Sequence, residues 1–384
     1  MAKPAPSIKT APLTPPPGPP DMATSKMESL LRGVFENKAS DLHLTVGLPP
    51  QMRVDGKLTP ISDKALMPED TQALAYQVLT PDQITRFEKT MELDTAYSLR
   101  GVSRFRVNCY RQRGSIGLAA RVIPFEIPKI NELGLPDTLL EFCTIPSGLV
   151  IVSGPTGSGK STTLASMIDV INQTRNCHIV SVEDPIEYLH KHQKATINQR
   201  ELGVDTTSFT EALRHVVRQD PDVILIGEMR DLETMQTALT LAETGHLVLS
   251  TLHTADAPHT VNRIVDVFPP YQQQQVRTQL SLVLVSVIVQ QLFPKIDGKG
   301  RAVACEIMRV TPAIGALIRE NHLHQIRSVI QTGKQHGMVT LNQSMADLYT
   351  AGVVSWEEIA RRSPDVIELK SLTQSKPQKS SRRR

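Results

Sequence analysis

Gly154-Pro155-Thr156-Gly157-Ser158-Gly159-Lys160-Ser161 decides how this chain is read. It fits the pattern G-x-x-x-x-G-K-[ST], and its surroundings are those the pattern needs: the apolar run Leu149-Val150-Ile151-Val152 before it and a helix-compatible run over 162–171 after it. A strand therefore feeds a loop that opens a helix. Gly154, Gly157 and Gly159 let the loop curl so that backbone N–H groups converge on a β-phosphate, while the helix N-terminus adds partial positive charge. Lys160 then reaches the β- and γ-phosphates, and the Ser161 hydroxyl ligates Mg²⁺. Pro155, Thr156, Ser158 and Thr162 complete the stretch expected to wrap the nucleotide. The expected ligands are ATP and Mg²⁺.

Outward from the loop, apolar runs at 149–152, 178–182, 223–226 and 247–252 alternate with helical stretches. That alternation predicts a mainly parallel sheet with crossover helices, whose ligands bind beyond the carboxyl ends of the strands. The residues after each run are therefore the candidates for chemistry. Glu183-Asp184-Pro185-Ile186-Glu187 follows the second run. Gly227-Glu228 follows the third, with glycine where an aspartate is usual, so Glu228 is left to hold Mg²⁺ or its water ligands. His246 and His253 bracket the fourth run, seven residues apart, or about 23 Å of extended chain at about 3.3 Å per residue. A straight strand cannot bring both to one γ-phosphate. His253, at the carboxyl end, is the candidate for the phosphate or its attacking water. His246 follows Gly245, the expected C′ residue of a helix over 232–244. It is read as structural or as facing another subunit, and stays among the candidate nucleotide contacts.

Before the loop lies a region of a different kind. Met27, Leu30, Leu31, Val34 and Phe35 repeat at helical spacing, Leu42, Leu44 and Val46 alternate with polar residues, and Asp55-Gly56 sits between two short strand-like runs. Helices over 69–79 and 81–90 and strands over 94–99, 104–110 and 116–122 follow. The sum is an α+β domain with an antiparallel sheet. Between Asp94 and Glu126 there is no acidic residue, yet Arg100, Arg104, Arg106, Arg111, Arg113 and Arg121 are present. Alternation places Arg104, Arg106 and Asn108 on one face and Phe105 and Val107 on the other. From the residues alone, an anion-meeting face and an ordinary solvated sheet face stand level.

The bulk composition narrows the class. Over 384 residues, 40% are hydrophobic, 21% are charged and the formal net charge is +3, which describes globular domains rather than a nucleic-acid-binding chain. Four cysteines without a C-x-x-C pair argue against a zinc site. The longest apolar run, 280–289, is broken by Ser281 and Ser286 and falls short of the roughly 20 residues a bilayer span needs. Val276, Leu280, Val283, Leu284, Val287, Ile288 and Leu292 trace a helical stripe, so a buried helix is expected there. The prolines of 1–25 and the basic residues of 371–384 predict disordered ends, and four prolines over 124–146 predict a linker with one short helix, 135–143.

Together, residues 154–161, the acidic box Val182-Glu183-Asp184-Pro185-Ile186-Glu187, the stretch Ile226-Gly227-Glu228-Met229-Arg230-Asp231 and the histidine box Thr244-Gly245-His246 to Thr251-Leu252-His253 resemble the secretion ATPase superfamily of type II and type IV secretion and type IV pili. The resemblance runs from about residue 27 to 369. Residues 266–275, Asp-Val-Phe-Pro-Pro-Tyr-Gln-Gln-Gln-Gln, resemble the PilT-type twitching-motility retraction branch. Assembly and type II secretion members carry a longer N-terminal region and a four-cysteine insertion, neither of which this sequence shows.

The resemblance implies an α/β protein with a PAS-like α+β domain over 26–123 and a RecA-like ATPase domain with C-terminal helices over 147–370. It implies a homo-hexamer in the cytoplasm, held peripherally at the inner membrane by a pilus platform protein, with a paralogous retraction ATPase as a further partner. In such rings nucleotide sits between the domains, which tips Arg104, Arg106, Arg111 and Arg121 toward phosphate contact. Glu187 and Glu228 share water activation and support of Mg²⁺, in exchangeable roles. One departure stands out: retraction members read Ala-Ile-Arg-Asn-Leu-Ile-Arg-Glu where this chain has Ala313-Ile314-Gly315-Ala316-Leu317-Ile318-Arg319-Glu320. The first arginine is lost to Gly315, which leaves open an accessory PilU-type or a type II-like or assembly role. The rival from another class is a nucleic-acid-translocating motor. Aromatic content of 4% offers few stacking platforms, so no nucleic acid is expected.

Overall fold

Two compact units divide after Val122, and each is built by a different sheet. The computed structural model describes residues 26–374 except Asp55 and Phe125. The N-terminal arm, the tail from residue 375 and Asp55 of the hairpin turn lie outside the described residues.

The first unit runs α1 (Lys26–Glu36), β1 (Asp41–Leu44), β2 (Gln51–Val54), β3 (Lys57–Pro60), α2 (Pro68–Tyr76), α3 (Pro81–Thr90), β4 (Glu92–Leu99), β5 (Ser103–Gln112) and β6 (Ser115–Ile123). Local chemistry sets the ends of α3. The Thr80 hydroxyl accepts from the Gln83 N–H, Gln83 Oε1 accepts from the Thr80 N–H at 2.9 Å, and Pro81 opens the helix. The helix stops at Met91, whose φ is +64°. The strands order as β3-β2-β1-β6-β5-β4, with β1–β2, β2–β3, β1–β6 and β4–β5 antiparallel. Along β5, Phe105, Val107 and Cys109 are buried with Leu42, Leu44 and Phe87. Arg104, Arg106 and Asn108 alternate onto the other face, as the pleat requires.

The second unit continues with α4 (Thr138–Thr144), β7 (Gly148–Ser153), α5 (Lys160–Thr174), β8 (His178–Glu183), β9 (Thr196–Glu201), α6 (Phe209–Val216), β10 (Val223–Ile226), α7 (Leu232–Glu243), β11 (Leu247–Thr251), α8 (Ala257–Asp266), α9 (Pro270–Val283), β12 (Leu284–Pro294), β13 (Arg301–Arg309), α10 (Pro312–Arg319), α11 (Ile326–Thr332), α12 (Leu341–Thr350), α13 (Trp356–Arg362) and α14 (Val366–Gln374). Its sheet orders β13-β12-β7-β11-β10-β8-β9, parallel except for the β12–β13 pair. Every residue of β7, β10 and β11 is buried. Leu149 and Ile151 serve one core cluster and Val150 and Val152 the other, so successive residues of β7 serve different clusters. Each such aliphatic side chain contributes about 1.5–3 kcal/mol by leaving water. Val152 pairs with Thr251, Ser250 with Ile226 and Ile226 with Val182. Four strand ends therefore come out at one level.

Three expectations are corrected. The stripe from Val276 to Leu292 is not one helix: α9 ends at Val283, and Leu284 opens the strand β12 between β7 and β13. Val285, Val287, Ile288 and Val289 are β-branched and favour the pleat, and a strand buried on both faces shows no period of two to tell it from a buried helix. Residues 124–146 are not a free linker, since Ile130, Leu135, Leu139, Phe142 and Cys143 belong to a core cluster of the second unit. The short helix there begins at Thr138, not Leu135. Ser371 to Gln374 close α14 instead of opening a disordered tail; Leu369 on that helix is fully buried among the C-terminal helices. The β9, β12 and β13 strands went unread.

Candidate nucleotide site

Ser153 ends β7, and the chain turns away at Gly154 with φ of +135°. A Cβ on Gly154 would lie 2.3 Å from the Gln290 carbonyl oxygen, so neither the conformation nor the space admits another residue. Gly157 (φ +77°) and Gly159 (φ +90°) complete the curl, and Gly159 is the N-cap of α5 with no side chain capping the helix. The first N–H groups of α5 are thus left for a ligand. Pro155, Thr156, Gly157 and Ser161 are exposed, whereas the Ser158 hydroxyl is buried with no partner among the described residues. Thr162 shares its hydroxyl with Tyr188 at 2.9 Å.

Lys160 is buried on α5, and its ammonium donates to the carbonyls of Gly154 (2.9 Å) and Pro155 (3.2 Å). Burial pulls its pKa below the usual lysine value, and the Glu228 carboxylate pulls the other way. A buried cation, an uncapped helix end, three left-handed glycines and an orphaned hydroxyl fit a polyphosphate.

Beside the loop the aligned strand ends deliver the rest. The Ser250 hydroxyl donates to Ile226 O (2.8 Å), the Thr251 hydroxyl donates to Gly227 O (2.7 Å), and the Met229 N–H donates to Thr251 O (3.2 Å). These bonds knit the exits of β10 and β11, so Glu228 and His253 meet: Glu228 Oε1 lies 3.3 Å from His253 Nε2, and Arg230 Nε donates to Glu228 Oε2 at 2.8 Å. His253 Nδ1 lies 3.4 Å from the Lys160 ammonium. An imidazole with hydrogen on Nε2 satisfies both contacts, accepting from lysine and donating to glutamate. Glycine at 227 also has a packing reason. A Cβ there would come within 3.3 Å of Glu183 Cα and the Val182 carbonyl oxygen.

The acidic box splits. Glu183 is buried, with its carboxylate accepting from the Ser181 hydroxyl at 2.6 Å and from Gln199 Nε2 at 3.1 Å. Burial drives its pKa up, partly offset by those bonds and the Glu187 N–H. Glu187 is exposed, and among the described residues no side-chain hydrogen bond ties it to Lys160, Glu228 or His253. Sequence proximity to Glu183 did not separate a buried structural carboxyl from an open one.

His246 is not brought to the loop. It stands at the amino end of β11, where its carbonyl accepts from the Gly148 N–H at 3.0 Å and its Nδ1 lies 2.9 Å from Leu241 O. A parallel pair keeps like ends together, so the start of β7 and the start of β11 meet far from the exits. In the first unit, Arg111 donates to Glu88 at 2.6 Å and Arg121 to Asp41 at 2.8 Å. Arg106 is exposed and Arg104 half-buried on the open face of β5.

Two groups of residues escaped the sequence. Ser153 Oγ accepts from the Thr254 N–H (2.8 Å), and the Thr254 hydroxyl lies 2.7 Å from Ser153 Oγ and 2.6 Å from Thr260 Oγ1. This chain of hydroxyls links the root of the loop to the residue after His253. Gln290, on the strand read as helix, bonds to Ser158 and Thr163 across 132 and 127 residues; no local signal could have found it.

The chain is similar to known proteins over most of its length. The family profile described as "Type II/IV secretion system protein" matches residues 23–361. The chain is 48% identical over 325 residues to the "Type IV pilus retractation ATPase PilT" of Pseudomonas aeruginosa, covering 85% of this chain and 94% of that protein. It is 41% identical over 347 residues to the "Type IV pilus ATPase PilU" of the same organism, covering 90% and 91%. The solved structure "Crystal Structure of the Pilus Retraction Motor PilT and Bound ADP" matches with a TM-score of 0.85 at 50% identity, over 90% of this chain and 99% of that one.

Proposed function

Because the chain belongs to the type II/IV secretion system protein family, we propose that it is an ATPase that hydrolyses ATP to drive type IV pilus retraction, and so twitching motility. The observation that carries the reading is the contact chain Lys160–His253–Glu228 at the exits of a parallel sheet, beside a glycine loop of the right form.

Lys160 and the loop N–H groups hold the β- and γ-phosphates. Ser161 and Glu228, with Glu187, would hold Mg²⁺, which would supply Lewis-acid stabilisation of the charge on the transferred phosphoryl group. Glu228, oriented by His253 and Arg230, takes the proton of a water as its oxygen bonds the γ-phosphorus and the bond to the β-phosphate oxygen breaks; Glu187 is the alternative base. Arg104 and Arg106 meet the phosphates from an adjacent subunit of a homo-hexamer. Arg106 is exposed on β5, whereas Arg111 and Arg121 hold carboxylates within their own unit.

The partner is a platform protein of the pilus machinery at the inner membrane, approached from the cytoplasm. Among the described residues no helix is long and apolar enough to cross a membrane. The deciding experiment is a deletion strain scored for twitching and surface pili. Lost twitching with excess pili supports retraction, and absent pili would turn the reading to assembly. A second reading, an accessory role beside a paralogous retraction ATPase, rests on Gly315, which is buried in α10 where the resembled retraction motif has its first arginine; a Cβ there would make only ordinary contact with Ser281 O of α9, at 3.4 Å. Twitching that survives deletion but fails under load supports it. Tight DNA binding with a steep salt slope would instead point to a nucleic-acid motor.

A further inference from the structure

The β12 strand runs beside β7 until Val289 pairs with Ser153. The next residue of β7's path, Gly154, leaves the sheet, and the next residue of β12, Gln290, turns its side chain to the departing loop. Gln290 is 1% exposed. Its Nε2 donates to the Ser158 carbonyl at 2.7 Å, and its Oε1 accepts from the Thr163 hydroxyl at 2.9 Å. Its backbone carbonyl lies against Gly154 and its Nε2 against Gly159, 2.3 and 3.1 Å from where a Cβ would stand on each. One residue therefore touches the root of the loop, its crown and the first turn of α5.

Both ends of the amide are used, in one orientation. Only the NH₂ end can serve a carbonyl, so the Ser158 carbonyl fixes the orientation and leaves Oε1 to accept from the Thr163 hydroxyl. A trans peptide sets its C=O and N–H on opposite sides. With the Ser158 carbonyl held to Gln290, the Gly159 N–H on the same peptide must face away from the sheet, the direction from which an anion meets the helix N-terminus. Neither Gln290 nor Thr163 needs to touch the nucleotide. We propose that Gln290 is a positioning residue for the phosphate loop: with Thr163 it orients the Ser158–Gly159 peptide so that its N–H is aimed at the β-phosphate. The inference rests on the ATPase reading above.

The test is calorimetric titration of the full chain with ADP, ATP and AMP, together with the kcat and KM of phosphate release. Gln290→Met keeps the length and loses both bonds. It should weaken ADP and ATP binding about tenfold or more and AMP binding less, since AMP lacks the β-phosphate, and the loss should appear in KM before kcat. Thr163→Val should reproduce the pattern and Thr163→Ser recover most of it. The double variant Gln290→Met, Thr163→Val should lose little more than either alone, because both act on one peptide. Where Gln290→Met fails to fold, the Thr163 pair carries the test alone. Equal loss for AMP and ADP, or ADP affinity within twofold of wild type in a folded variant, overturns the proposal. A wild-type chain that binds neither ADP nor ATP would overturn the ATPase reading itself.

Discussion

His253 Nε2 lies 3.3 Å from Glu228 Oε1, joining the exits of β11 and β10. The same imidazole reaches Lys160 of the loop through Nδ1 at 3.4 Å. Three residues from three separate stretches thus form one contact chain, and each can be tested by removal.

Lys160→Ala removes the buried cation of the loop and should abolish nucleotide binding or turnover. Phosphate release measured with the purified variant is the check, and an undiminished rate would overturn the ATPase reading.

Glu228→Gln and Glu187→Gln keep shape while losing a carboxylate. Each should retain ATP binding and lose turnover by about 10²–10⁴-fold if it serves as general base. Glu228 is held by His253 and Arg230, so the larger loss is expected there. A drop of less than tenfold in either variant removes that residue from the catalytic set.

Arg104→Ala combined with Arg106→Ala should bind ATP nearly as wild type and lose about 10³–10⁵ in kcat, the worth of an arginine supplied to a phosphoryl transfer site. Mixed with inactive Lys160→Ala protein, some activity should return, because a mixed ring pairs an intact loop with intact arginines. No recovery in rings shown to be mixed would return this face to ordinary solvated surface.

Glu306 provides a pH test of stability. It is buried on β13, and its Oε1 accepts from the Ala257 N–H at 2.8 Å, the first residue of α8. Burial pushes its pKa from 4.5 to about 7, with the Ala257 bond opposing. The folded value lies above the unfolded one, so its contribution is fully present below about pH 4.5 and is lost as pH rises to about 7, by roughly 3 kcal/mol at most. Glu306→Gln is neutral throughout and should lack that slope. The Leu341 N–H, a second backbone donor to this carboxyl, would then meet an amide, an offset that does not vary with pH. Urea unfolding followed by Trp356, the one tryptophan, on α13 of this unit, measures it; parallel pH profiles for wild type and variant would refute the assignment.

Much of the second unit was legible because its signals are local. The turn at Gly154, the strand exits after 182 and 226 and the end of α7 before Gly245 each follow from a few adjacent residues whose backbone geometry admits little else. The β12 strand was not legible, since burial on both faces erases the period that separates strand from helix. With β12 misread, the sheet position of Gln290 was hidden too.

By itself the sequence determined a nucleotide loop on a parallel sheet, an antiparallel sheet domain before it, and acids and a histidine at the strand exits. Those are properties of short stretches, governed by sterics, capping and periodicity within a few residues. Only the tertiary structure decided that His253 joins Lys160 to Glu228. It alone showed Glu183 buried and Glu187 exposed, and it alone set Gln290 and Thr254 on the loop from 132 and 101 residues away. Side chains that distant in sequence meet only through strand order and register, and these are set by how the two faces of the whole sheet are buried.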